Sequence, residues 1–310
     1  MTDPIEIVNL RKEFKDFRAV DDLTFTVKRN SFTGFLGPNG AGKSTTLKIL
    51  THLINATSGN AYLNGIDVTV DAKNALRGVG TVVETPEFYG YLTPKQTFEY
   101  IGSIFGMRKE DISAQTVEIL EDMKMSEWAD SKIGTFSKGM KQRVCLGLSM
   151  LNNPSIIILD EPTSGLDPQG MAETRDILKN LRKKNNDLTI LMSSHMLHEV
   201  TDLCDRITMI NHGKLLMEGT MEDVLKTSNY RGISLKILGG PTEEAVHAIA
   251  KLPNVNEAEI AGYSIKLRLN GGDEEQGQLL DDIRGLGLKV YSFSEEEALE
   301  NVYLNQIKEE

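Results

Sequence analysis

Residues Gly37 to Ser44 read Gly-Pro-Asn-Gly-Ala-Gly-Lys-Ser. An apolar run, Phe32 to Leu36, precedes them, and a helical pattern, Thr45 to Ile54, follows. Glycines at this density let the backbone curl until successive N–H groups converge on one anion. A helix that starts there turns its positive end toward the same anion. Lys43 can then reach β- and γ-phosphates, and the Ser44 hydroxyl can ligate Mg²⁺. The chemistry this spacing predicts is the binding of ATP or GTP through its phosphates.

A second group stands far downstream. Ile156-Ile-Ile-Leu-Asp160-Glu161 is an apolar strand that ends in two adjacent carboxylates. Side chains alternate along a strand, so the two acids can serve different partners. Asp160 suits the Mg²⁺ held by Ser44. Glu161 suits the water that attacks the γ-phosphate in line. Two solvated acids at a strand end are common in isolation. Here a phosphate loop lies upstream, and strand ends in a parallel sheet open onto the ligand crevice.

Between these groups, Phe136-Ser137-Lys138-Gly139-Met140-Lys141-Gln142-Arg143 opens another helix. Its Ser-x-Gly turn is a further anion site, although a serine N-cap explains it equally well taken alone. His195 follows the apolar run Leu188 to Met192. The string His195-Met-Leu-His198-Glu199 lacks the spacing of a zinc protease, and His198 reads as helix surface.

These residues need a frame. Ile5, Ile7, Leu23, Phe25 and Val27 alternate with polar residues in the manner of strands. Gly78 to Val83, Ile156 to Leu159 and Leu188 to Met192 read as buried strands. Helical patterns fall at 93–106, 114–124, 138–151 and 169–184. Strands alternating with helices predict an α/β fold with a mainly parallel sheet covered on both faces. Ile207 to Gly219 carries a hairpin signature around Asn211-His-Gly-Lys. The long interval between Lys43 and Asp160 leaves room for a helical insertion at about residues 90–135.

Composition bounds the protein's setting. The chain has 310 residues, 40% hydrophobic and 25% charged, which suits two globular domains. No apolar stretch approaches the roughly 18 residues that span a bilayer. Met1 to Leu10 lacks the basic-then-apolar pattern of a signal peptide, so a cytoplasmic location is expected. Cys145 and Cys204 stand far apart and read as core residues rather than a disulfide or zinc site. A net charge of −11 argues against a general nucleic-acid binder.

With these motifs in this order, residues 5–225 resemble the ABC family of ATPases. The resemblance implies a P-loop ABC-type ATPase fold over residues 1–228, with a mainly parallel sheet, an antiparallel β subdomain and a helical insertion. It implies a head-to-tail dimer, with a second copy or a homologous subunit, enclosing two ATP molecules. Each ATP, with its Mg²⁺, would touch Gly37, Pro38, Asn39, Gly40, Ala41, Gly42, Lys43, Ser44 and Thr45 of one subunit. Ser137 and Gly139 would come from the other. Phe14 takes the position that stacks on adenine. Ser164-Gly165-Leu166-Asp167 takes that of the dimer-contact loop, which puts Asp167 near the nucleotide. His195 matches the switch histidine at the γ-phosphate and would share catalysis with Glu161. Ser44, Asp160 and Glu84 would form the metal set.

Two departures mark the chain within that family. Phe-Ser-Lys-Gly-Met stands where Leu-Ser-Gly-Gly-Gln is common. Glu84, in Val82-Val83-Glu84-Thr85-Pro86, takes the position of the switch glutamine. A carboxylate there would add negative charge near Mg²⁺, unless it turns to solvent. Both features, with the following Glu87-Phe-Tyr-Gly-Tyr-Leu-Thr, resemble the ATP-binding subunits of antibiotic-export and lantibiotic or bacitracin self-protection transporters. Such a subunit would energise a separate membrane permease from the cytoplasmic face of the membrane. A soluble ABC ATPase acting on ribosomes or nucleic acid, and a non-hydrolysing assembly factor, are the competing classes.

Residues 229–310 read as a second, small α+β domain. Ile233 to Leu238, Tyr263 to Leu269 and Leu288 to Phe293 alternate as strands. Ala245, Ala248, Ile249 and Leu252, then Leu279, Leu280, Ile283 and Leu286, fall at helical spacing. The order resembles a ferredoxin-like β-α-β-β-α-β plait. A last helix is expected from Ser294, capped with Glu297. Most of the chain's acidity lies here, suiting either solubility or a dimer-stabilising or regulatory role.

Overall fold

The computed structural model describes residues 2–84, 87–226, 230–295, 299, 302 and 303. Two compact units divide between Thr220 and Met221. Residues 227–229, where the sequence put the domain boundary, lie outside the described residues.

The first unit is built on two sheets. An antiparallel sheet runs in the order Phe17–Val27, Ile5–Phe14, Ser58–Leu63, Ile66–Asp67. A six-stranded sheet runs Lys214–Thr220, Arg206–Asn211, Phe32–Leu36, Thr189–Ser194, Ile156–Asp160, Val79–Val82. Its last five strands are mutually parallel, and only the hairpin strand Lys214–Thr220 is antiparallel. Parallel strands buried on both faces explain the unbroken apolar runs Ile156–Leu159 and Ile190–Met192.

The main core joins the two sheets. Ile5, Ile7, Leu23, Phe25 and Val27 of the antiparallel sheet pack with Phe35, Leu47, Leu50 and Ile158. Phe25 and Phe35 stack with ring centroids 5.1 Å apart. This packing anchors the helix that follows the phosphate loop, Lys43–Leu50. That helix ends four residues short of the expected Ile54. Thr51 bonds back through its hydroxyl to Leu47 O, and His52 turns to φ +56, which a helix cannot continue.

The insertion carries helices Pro94–Ile104 and Lys109–Asp122. The first opens on a capping box between Thr93 and Gln96, with Pro94 at its first position. The second starts at Lys109 rather than near 114. Glu110 and Asp111 favour its N-terminal end, and Ile112 is buried. Helix Lys138–Met150 packs against both through Gly147, where a Cβ would meet Ile119 Cγ2 at 2.9 Å.

The second unit, apart from the helix Met221–Lys226, is a ferredoxin-like plait: Arg231–Ile237, Glu243–Ile249, Val255–Ala261, Ser264–Leu269, Asp273–Gly285, Val290–Glu295. Its antiparallel sheet runs Val255–Ala261, Ser264–Leu269, Arg231–Ile237, Val290–Glu295. Ile233, Leu235, Ile249, Ile265, Leu269 and Ile283 form its core. Three expectations are corrected here. Tyr263 precedes its strand at a turn and is 87% exposed, so it leaves the apolar face. Leu286 caps the helix Asp273–Gly285 instead of lining the core. Ser294 pairs with Ser234 inside the last strand, so the expected final helix does not start there; Leu299, Val302 and Tyr303 are helical, and Glu297 lies outside the described residues. Among the described residues, no helix is long and apolar enough to cross a membrane.

Candidate active site

Four neighbouring parallel strands end in a row. In spatial order they are Phe32–Leu36, Thr189–Ser194, Ile156–Asp160 and Val79–Val82. Leu36 pairs with Ser194, Asp160 with Ser193, and Val82 with Leu159, so their exits stand level. Beyond them come Gly37–Ser44, His195, Glu161 and Glu84, in that spatial order. Residues more than 150 positions apart in sequence thus meet along one edge. This edge is where an α/β sheet binds ligands.

The phosphate loop has the backbone its glycines permit. Gly40 sits at φ +84 and Gly42 at φ +104. A Cβ on Gly42 would lie 2.4 Å from Ala19 O, so only glycine fits. Asn39 and Gly40 form the exposed crest, while Gly37, Ala41 and Lys43 are buried. Pro38 closes the turn by accepting from Ala41 N at 3.1 Å. Helix Lys43–Leu50 begins at Gly42 with no side-chain cap, which leaves its first N–H groups directed into the loop. Thr45, partly buried, is in the helix's first turn.

Lys43 is only 4% exposed. Its Nζ donates to Gly37 O at 2.8 Å and Pro38 O at 3.1 Å, and lies 3.6 Å from Glu161 Oε1. Burial pushes this ammonium below its ordinary range, opposed by the charges of Glu161 and Asp160. Ser44 Oγ donates to Asp160 Oδ1 at 3.1 Å. The same oxygen accepts from Ser193 Oγ at 2.6 Å, and Ser193 Oγ accepts from Glu161 N at 2.9 Å. Ser193 therefore fixes both acids. The sequence reading missed it; its signal was a buried polar residue ending an apolar strand. Glu161 stands at φ +44 and turns its Oε1 to within 3.1 Å of His195 Nδ1.

The turn at His195 is held from below. Ser194 Oγ accepts from Met196 N at 2.9 Å and donates to Glu199 Oε2 at 3.1 Å. Glu199 is buried, and its Oε1 has no partner among the described residues.

Ser44, Glu84, Asp160 and Glu161 line a cleft of about 240 Å³ with Lys138, Lys141, Gln142 and Ser164. Glu84 sits at φ +70 and pairs with Lys48, another residue that the sequence did not single out. Phe14, Ser137, Gly139 and Asp167 do not line this cleft, and neither do Lys43 and His195, although Lys138, between Ser137 and Gly139, does. Phe14 ends its strand half-exposed, with Lys12 Nζ 4.8 Å from its ring centroid. Ser137 caps helix Lys138–Met150 by accepting from Met140 N at 3.2 Å. Asp167 caps helix Pro168–Lys184 by accepting from Gly170 N at 2.8 Å. Lys138 Nζ donates to Ser164 O at 3.1 Å, joining the two turns.

The donor set at Ser44 is hydroxyl and carboxylate oxygen, which suits Mg²⁺. Among the described residues, no group of three or more His, Cys, Asp or Glu side chains could hold a metal ion by itself. That fits a cation which takes the rest of its ligands from nucleotide phosphates.

The ABC transporter family profile matches residues 20–164. The bacitracin transport ATP-binding protein BcrA of Bacillus licheniformis is 33% identical over 99% of this chain and 98% of its own length. The linearmycin resistance ATP-binding protein LnrL of Bacillus subtilis (strain 168) is 30% identical over 97% of both chains. Among solved structures, the dimeric post-hydrolysis form of the ATP-binding cassette MJ0796, bound to ADP and Pi, superposes with a TM-score of 0.62. It is 25% identical, over 70% of this chain and 98% of that one. The edge of strand exits is where such a cassette would hold its nucleotide, and the chain belongs to the ATP-binding, ATP-hydrolysing subunits of ABC transporters.

Proposed function

We propose that this subunit powers a separate membrane permease that exports a drug, an antibiotic peptide or a lipid. The level row of strand exits, carrying Lys43, His195, Asp160, Glu161 and Glu84, is the observation that carries the chemistry. Relatives named for bacitracin transport and linearmycin resistance, matched along nearly the whole chain, support the export class.

In this reading the loop Gly37–Ser44 and Thr45 hold the triphosphate, and Lys43 exchanges its loop carbonyls for phosphate oxygens. Phe14 stacks on the base. Ser44 and Asp160, with Glu84 beside them, would hold Mg²⁺, which would supply positive charge to the phosphates. Glu161 orients the attacking water, and His195 contacts the γ-phosphate while keeping Glu161 in place. Ser137, Gly139 and Asp167 serve the ATP of a second subunit, head to tail.

The insertion and the loop after Glu84 form the permease-docking surface at the cytoplasmic face of the membrane. Tyr89, Tyr91 and Tyr100 cluster there, each about half-exposed or more, with ring centroids 5.7 and 6.2 Å apart. Exposed aromatics in contact suit an interface. ATP drives the permease only if it binds its two states with different affinity. The second unit serves as an accessory domain.

The test combines two measurements on the full chain. ATP should convert the Glu161→Gln protein from monomer to dimer in light scattering. The wild-type chain should co-sediment with membranes from the cells that produce it. A strictly monomeric, fully active ATPase overturns the shared-site reading. Co-sedimentation with ribosomes instead of membranes overturns the transport reading.

A further inference from the structure

Each carboxylate around the nucleotide cleft has its own partner. Glu161 faces Lys43 and His195. Asp160 accepts from Ser44 and Ser193. Glu84 pairs with Lys48, through its Oε1 and the ammonium Nζ. Lys48 lies four residues after Ser44 on helix Lys43–Leu50, so hydroxyl and ammonium project from one helix face, a turn apart. Glu84 reaches Lys48 from a backbone at φ +70, a conformation that few non-glycine residues adopt. The carboxylate is 59% exposed, and an exposed ion pair adds little to fold stability. Its consequence is therefore local. It sets the charge beside Ser44 and Asp160.

We propose that Lys48 is a positioning residue for Glu84. Its ammonium is the carboxylate's resident counter-ion and gives it up when a divalent cation arrives with nucleotide. The proposal rests on the reading of Glu84 as a metal contact. Two cations that compete for one carboxylate each weaken the other's hold, and the coupling is reciprocal. Without a divalent cation, Lys48 also cancels a negative charge that would repel the triphosphate. Lys48 thus makes the closing of the metal site depend on Mg²⁺ and nucleotide together.

Binding, rather than turnover, tests this. Mn²⁺ is titrated into the full chain with a non-hydrolysable ATP analogue, and free Mn²⁺ is read by electron paramagnetic resonance. Lys48→Gln should tighten Mn²⁺ by about threefold to tenfold, as expected for removing one competing charge at a partly screened distance. It should also weaken the analogue in chelator. Lys48→Arg should retain wild-type behaviour. In a Glu84→Gln background, Lys48→Gln should change neither quantity. Unchanged Mn²⁺ affinity in Lys48→Gln, or an equal shift in the Glu84→Gln background, overturns the proposal while leaving the nucleotide site standing. Failure of the wild-type chain to bind the analogue at all overturns the nucleotide-site reading and this proposal with it.

Discussion

Nδ1 of His195 and Oε1 of Glu161 lie 3.1 Å apart, across the exits of two adjacent parallel strands. Neither residue reaches the other by sequence proximity. Asp160 pairs in register with Ser193, and that one register brings both side chains to the same height above the sheet. Lys43 Nζ lies 3.6 Å from the same oxygen, Oε1, so imidazole and ammonium converge on it and hold the carboxylate's direction. A general base needs that fixed direction.

Glu161→Gln should slow ATP hydrolysis by about 10²-fold or more while ATP binding persists. The amide keeps the shape but cannot take a proton. Phosphate release and equilibrium binding, measured on one preparation, check this. Wild-type turnover would remove the water-activating role.

His195→Ala should also slow hydrolysis, and its effect should overlap with that of Glu161→Gln. Residues that act as one unit lose their function together, so the double variant should be about as slow as the slower single one. Turnover losses that multiply in the double variant would mean that the 3.1 Å contact is incidental.

Gly42→Ala should abolish ATP binding and lower stability by about 1–3 kcal/mol, the usual cost of such a strained position. The added methyl meets Ala19 O at 2.4 Å, and φ +104 is closed to alanine. Thermal unfolding and nucleotide titration report the two effects separately.

Gly139→Asp tests the second subunit's contribution. A Cβ on Gly139 meets only Gly170 Cα at 3.9 Å, so the isolated chain has room for it. Stability should change by less than about 1 kcal/mol, as for surface substitutions. ATP-dependent dimerisation and hydrolysis should be lost, because a carboxylate would face the triphosphate across the interface. Light scattering with the Glu161→Gln background reads the first, and turnover in the Gly139→Asp single variant reads the second.

Burial pushes the Cys145 thiol up from 9.0 to about 12, and that of Cys204 well above its ordinary value. The folded chain keeps protons that the unfolded chain releases above 9.0. This stabilising contribution is whole below that value and is lost as pH rises toward about 12. The stability advantage of wild type over Cys145→Ala should shrink by about 1 kcal/mol between about pH 8 and about pH 10. Buried Cys204 should resist alkylation until the chain unfolds, and partly buried Cys145 should react before it.

Much of this protein is legible along the chain. Gly37–Ser44 declares its ligand because a phosphate cradle is local, needing only a turn, a helix start and one lysine within eight residues. Asp160 and Glu161 are legible because their strand end follows a phosphate loop in the same chain, and strand ends of a parallel sheet open onto the ligand crevice. Errors cluster where short-range rules compete with packing. Tyr263 fits the alternation of its strand but belongs to the turn before it. Ser294 looks like a cap, yet the sheet claims it through Ser234.

The sequence by itself determined the phosphate loop, the acidic strand end and the alternation of strands with helices. All three depend on neighbours a few residues apart. Only the tertiary structure decided that Ser193 would hold both acids, that Glu161 would meet His195, and that Lys48 would answer Glu84. These contacts are set by which strands lie side by side and in what register. That order minimises exposed apolar surface over the whole sheet, a property that no short window of sequence contains.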